Sequence, residues 1–578
     1  MKSLLLLLFV LFFSVLTGES IAQNFTLKWS NEFKIGKNVL GMDLVAADQT
    51  GAYFLESRAP FGSYHPSYQL RKLDYNNNEL FFRNYRTDMK DLLFHAIKPL
   101  KDKLFLFASD FDKKAGMFKI SGVEIDKATG NFSGEWIELA GIQLNSGKDD
   151  VDFVFRPSQD SSSWQLIMEE LPDGKEDRTI HIYSFDNALK KVNSGIIKLK
   201  GDPETYAYED LVILNNNVGY FLLIRELENT TPEKKRSTME LKRFVLRKYD
   251  TKGNLLHTIP LENGPDKFCL GGRLFYQSSG KVVFAGFYTG SKNKNSGELN
   301  GVFTMTVDEN AQKPGILSSI EINREILNGS PADPVGQMTA KDTDTKKNKG
   351  NSKDDEKEEG FKREFIIRNV LDGAEEGSLV LVAEAYESSY STSQTSYRSA
   401  TTTSLTQTAW HYSFHNREVM IIHATNKGEL KSIRLIPKYQ DERIDGSVTI
   451  GGDHSRRSRH LGYFGDEETS AYYASITAAK SGNYLYILYN DYAANAALPF
   501  SLSENYKVVK DYDKTVLYAV KYDLVTGKME RSQVFANNKD LIAMPRFSLV
   551  SGNRLYLPAS KIRYLSSTQM NIGLLTIN

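Results

Sequence analysis

LVILNNNVGYFLLIREL at 211–227 and FVLRKYDTKGNLLHTIPL at 244–261 decide the reading of this chain. Each is a pair of short apolar runs, rich in β-branched and aromatic residues, joined by a turn of Asn, Asp and Gly. That is the pattern of a β-hairpin, so the two together supply four antiparallel strands, called a, b, c and d below. The a–b hairpin recurs from positions 44, 94, 152, 273, 365, 475 and 547, which makes eight copies. The c–d hairpin turns at Asp74, Asp126, Asp186, Asp250, Asp308, Asn426 and Asp523, which makes seven.

The missing c–d hairpin is divided between the two ends of the sequence. NIGLLTIN at 571–578 reads as a c strand without a d, and FTLKWSNEF at 25–33 as a d strand without a c. The early turns are spaced by 52, 60, 64 and 58 residues, a period that fits one blade of a radial repeat. The expected fold is therefore all-β: a single β-propeller of eight four-stranded blades, with seven as the alternative, the last blade closed by the N-terminal strand. Runs such as YLYILY at 484–489 lack alternation, as expected of strands covered on both faces by neighbouring blades.

The 578 residues carry 72 Lys plus Arg against 72 Asp plus Glu, and this balance disfavours nucleic acid and anionic lipid as partners. Lys2 followed by an apolar run from Leu4 to Leu16 and by Ser20-Ile21-Ala22 reads as a signal peptide over 1–22, leaving 23–578 as the propeller. The run of 13 residues is too short to span a bilayer, so no transmembrane segment is expected. The lone Cys269 lies in apolar FCLGGRLFY and reads as a packing residue.

Strand order sorts the connections. In an up-and-down blade the a–b and c–d turns lie at one end and the b–c and d–a connections at the other. All the short turns are of the first kind; the long segments, 228–242, 323–364, 388–409, 439–471 and 492–515, are of the second. The looped face is thus the expected working face. Within it, 341–360 holds six Lys and seven acidic residues with no apolar side chain, so 331–364 reads as a disordered insertion. The stretches 388–409 and 439–471 read as loop insertions, the first with 14 Ser or Thr in the 21 residues 388–408.

No HExxH, GxSxG, GxGxxG, P-loop or CxxC spacing occurs. No metal, cofactor or catalytic residue is expected from the sequence. His411 and His415 share one side of a strand, but zinc needs a third ligand and neither has an evident carboxylate partner. The candidate binding residues are Trp410, His411, Arg456, Arg457, His460 and Tyr463, aromatic and basic side chains of the kind that carry binding energy. In SRRSRHLGYFGDEE from Ser455, Arg456 and Arg457 offer bidentate geometry to an anion or acidic glycan, against the plainer reading of self-neutralised surface charge.

VLVAEAYESSYSTSQTSY at 380–397, IPKYQ at 436–440, YILYNDY at 486–492 and WSNEF at 29–33 resemble a family of uncharacterised exported bacterial proteins with a propeller-like repeat. The resemblance implies a Gram-negative envelope protein, in the periplasm or at the outer surface. It marks Glu384, Lys438, Gln440, Asn490 and Asp491 as family-typical polar positions, of functional use or simply satisfying backbone at strand ends. The expectation is a monomeric, non-enzymatic binding or scaffold propeller with a protein or glycan ligand. The alternative is a propeller hydrolase or lyase acting on extracellular glycan or peptide.

Overall fold

The computed structural model describes residues 25–578, apart from 36–38, 59–66, 145–149, 158–162, 172–176, 200–205, 215–218, 228–241, 278–280, 291–297, 309–314, 323–325, 327–363, 399–403, 450–470, 561–567 and scattered isolated positions. The signal-peptide reading of 1–22 and nearly all of 331–364 therefore lie outside the described residues. Eight four-stranded antiparallel blades form a ring: 39–84, 93–143, 150–199, 206–261, 267–321, 365–436, 477–536, and 549–577 completed by 25–29. In every blade the strands pair in the order a–b–c–d, as hairpin connectivity dictates.

The closure is as expected. Phe25–Trp29 pairs antiparallel with the last strand, Thr568–Ile577, in the register Phe25↔Ile577 to Trp29↔Gly573. A further short strand, Phe33–Ile35, continues along the same partner from Met570 to Thr568. Ser30 clips the junction, its hydroxyl accepting the Ile572 N–H at 2.8 Å.

Burial follows from stacking twisted sheets face to face around an axis. Eight apolar clusters alternate with the blades, each filled from two neighbours. Ile167, Ile180 and Ile182 of blade 3 meet Leu211, Leu222 and Ile224 of blade 4. The ring-closing cluster joins Leu44, Phe54 and Leu73 of blade 1 to Tyr556, Ile572 and Leu574 of blade 8. Cys269 is buried in the cluster between blades 4 and 5, where a packing residue was expected.

The c–d turns show why Asp marks the period. In Asp74, Asp126, Asp186, Asp250 and Asp523, Oδ1 accepts two backbone N–H groups of its own turn, such as Lys252 at 2.9 Å and Asn254 at 2.8 Å. Blade 6 departs by one residue. Thr425, not Asn426, closes the turn, its Oγ1 facing the N–H groups of Lys427 and Glu429. Among the described residues, no helix is long and apolar enough to cross a membrane.

Candidate functional site

Blade 6 does not end where the others do. Its b strand, Leu379–Arg398, and c strand, Ser404–Ala424, run 20 and 21 residues and stay paired as far as Arg398↔Ser404. The stretch 388–409, expected as a loop, is thus mostly a continuation of the blade hairpin. A fifth strand, Gln440–Thr449, comes from the segment 439–471 and pairs with the outer half of the c strand, from Asn416↔Gln440 to Gln407↔Thr449. The result is a three-stranded extension on the looped face, with the c strand in its centre.

Alternation gives this extension two faces. On the inner face Tyr386, Phe414 and Ile444 pack with Ala471, Ala474, Val509, Tyr512 and Ile542 in a ninth cluster, which Tyr472 and Tyr473 join to the ring-closing cluster. Phe414 is 1% exposed there. Glu442 pins the segment beneath: its carboxylate accepts the backbone N–H groups of Tyr472, Tyr473 and Ala474 at 2.8, 2.8 and 2.9 Å. Burial raises the Glu442 carboxyl, and these three amides oppose the rise.

The outer face carries charge. His415 Nδ1 lies 2.8 Å from Asp441 Oδ1, and Arg417 donates to the same oxygen and, through its other terminal nitrogen, to the Gln440 carbonyl at 2.6 Å. Nδ1–H of His415 is therefore the donor, which leaves Nε2 as the ring's second hydrogen-bonding atom; the side chain is 36% exposed. Burial alone would raise the Asp441 carboxyl, but the hydrogen bonds from His415 and Arg417 hold it below its ordinary value. One pleat outward, Arg443 donates to His411 Nδ1 at 3.0 Å, which fixes that nitrogen as an acceptor.

Beneath the extension, between blades 6 and 7, lies a buried polar network that contains the family-typical positions. Lys438 and Glu384 are both 0% exposed and meet at 2.7 Å. Glu384 also accepts from Arg368 at 2.8 Å and from the Ser475 hydroxyl at 2.6 Å, while Lys438 reaches Gln440 Oε1 at 2.8 Å. Burial would raise the Glu384 carboxyl, yet Lys438, Arg368 and Ser475 hold it at about 2; burial also lowers Lys438. Gln440 and Asn490 carry the network into backbone: Gln440 donates to the Asn490 carbonyl, and Asn490 to those of Tyr473 and Ala543. Four of the five positions thus tie strands and connections together, and Asp491 stands apart.

Of the expected binding residues, His411 lies on the outer face and Trp410 occupies the adjoining strand position, paired with Thr392 and Gly446. Arg456, Arg457, His460 and Tyr463 lie outside the described residues. The sequence reading missed Asp441, Arg417 and Arg443. Asp441 is the carboxylate partner that His415 lacked on paper, brought across by a strand whose pairing no local spacing announces. Among the described residues, no group of three His, Cys, Asp or Glu side chains could hold a metal ion.

No family model matches the sequence, and no curated protein matches it. Solved structures give only a distant likeness. An α-L-arabinanase of Penicillium chrysogenum is 10% identical with a TM-score of 0.29, covering 61% of this chain and 94% of its own. The β-propeller domain of the Trilobed protease of Pyrococcus furiosus is 6% identical at 0.29, covering 69% and 95%. The apocarotenoid oxygenase of Synechocystis is 9% identical at 0.30, covering 93% of each chain.

Proposed function

We propose that the protein is an exported binding propeller of the bacterial envelope, and that its contact surface is the outer face of the blade 6 extension. The observation that supports this reading is the combination of a rigid support with prearranged polar groups. The ninth apolar cluster fixes the inner face, and the outer face presents His411, Arg443, His415, Arg417 and Asp441 in mutually hydrogen-bonded positions. Prearranged side chains lose little freedom on contact, so more of the interaction appears as affinity. A polar ligand with charged groups, a glycan or a protein surface, suits this face better than an apolar one.

The test is a binding screen of the full chain against envelope polysaccharides, peptidoglycan fragments and peptides by biolayer interferometry. Replacing His411 and Arg443 together with Ala is expected to weaken the selected interaction by at least tenfold without shifting the melting temperature. Normal binding by that variant removes the extension from consideration.

A second reading rests on His415 alone. A partly exposed imidazole oriented by a carboxylate at Nδ1 is the arrangement of a general base. Turnover of a screened glycan or peptide that is lost in His415→Ala, with binding retained, would make the protein the hydrolase or lyase of the alternative.

A further inference from the structure

Asp152 lies near the start of the a strand of blade 3, at the looped end, and Glu169 stands directly opposite it on the b strand. Residues opposite one another share a face of the sheet, with Cβ atoms about 5 Å apart. The face is the one on which Ile167 and Ile180, neighbours of Glu169 along and across the sheet, pack against Leu211, Leu222 and Ile224 of blade 4. Both acids are buried there. Arg178, itself buried at the start of the c strand, donates to Glu169 Oε1 at 2.6 Å.

The other charges around this seam do not relieve the pair. Arg156, further along the a strand on the same face, is committed to Asp210 of blade 4 at 2.8 Å. Asp150 occupies the next position of the a strand toward the looped end and adds a third acid. On blade 4, Glu226 and Arg243 stand opposite each other in the row beyond Ile224. Glu170 and His181 pair on the other face of blade 3. With Asp152 and Glu169 both ionised, two adjacent negative charges face the Arg178 guanidinium in a place shielded from water. Adjacent buried carboxyls resist this by keeping one proton between them.

We propose that Asp152 and Glu169 form a pH-operated latch: sharing one proton they close the looped end of the seam between blades 3 and 4, and release of that proton to solvent opens it to water. The inference is independent of the blade 6 surface. Burial pushes the Glu169 carboxyl up to about 7; Arg178 opposes the rise and Asp152 adds to it. Because the folded value lies above the ordinary 4.5, the latch contributes its full stability below 4.5 and loses it as pH rises through about 7. Neutral pH is thus its working point.

The experiment is hydrogen–deuterium exchange of the full chain, corrected for the intrinsic rate at each pH, in peptides covering Asp150–Pro157 and Trp164–Leu171, with Tyr484–Asp491 of blade 7 as reference. Between about pH 5 and about pH 8, opening of the blade 3 peptides is expected to rise more than about tenfold and that of the reference to stay level. Glu169→Gln keeps a carbonyl acceptor for Arg178 without the titration, and should stay protected throughout. Asp152→Asn removes the like charge and should move the transition to lower pH. No response in the wild type, or an equal one in Glu169→Gln, overturns the proposal. An unmoved transition in Asp152→Asn shows Glu169 acting alone and overturns the pair. If Glu169→Gln does not fold, the Asp152→Asn shift decides.

Discussion

Lys438 is the residue whose meaning changes most between sequence and structure. In the sequence it is one lysine in IPKYQ; in the fold it is fully buried against Glu384, 54 positions away, beside Gln440. Removing one partner of such a pair strands the other, so Lys438→Met is expected to cost about 3–5 kcal/mol in a denaturant melt. Acid should act through Glu384. Its folded carboxyl lies at about 2, below the ordinary 4.5, so its contribution is complete above the ordinary value and is lost as pH falls from there toward 2. Thermal melts across that range should show this loss, and Glu384→Gln should flatten it. The resemblance picked out the residues but could not show the network, because its members come from strands and connections far apart in sequence, and the bond from Ser475 to Glu384 spans 91 positions.

At the scale of elements, the turns were readable and the extension was not. An Asp with Gly or Asn a few residues on has one local use, to cap its own turn, so the c–d turns could be found without any tertiary knowledge. The blade 6 hairpin hides because Ser and Thr interleaved with Tyr suit an exposed strand as well as a loop. Its fifth strand hides because a strand added from a d–a connection has no hairpin partner beside it in sequence. The packing gives a check: Phe414→Ala should destabilise the protein by about 3–5 kcal/mol, the usual cost of emptying a filled aromatic site. A loss under 1 kcal/mol in the same denaturant melt would mean that the ninth cluster does not hold the extension in place.

For the whole molecule, the period and the complementary ends specified an eight-bladed ring because each blade needs both neighbours to bury its two faces. Deleting Asn571–Asn578 takes away every residue that pairs with Phe25–Trp29 and opens two strand edges. The expected result on size-exclusion chromatography is aggregate in place of monodisperse protein. A circular permutant that joins Asn578 to Phe25, with new ends in the exposed turn at Val525, should stay monodisperse. The candidate surface was less legible than the ring, since it depends on where inserted chain settles and no periodicity governs that.

The same closure sets a schedule for biosynthesis. Thr26 and Asn578 touch across 552 positions of sequence, so the strand Phe25–Trp29 can find its partner only after the strand that ends at Ile577 has been made. At ~5–20 residues per second, that strand waits roughly half a minute to two minutes with its edge unsatisfied. Any chain cut short stays an open ring and shows a free strand to chaperones and proteases. The ring hides these two edges only once the strand that pairs with Phe25–Trp29 has been made.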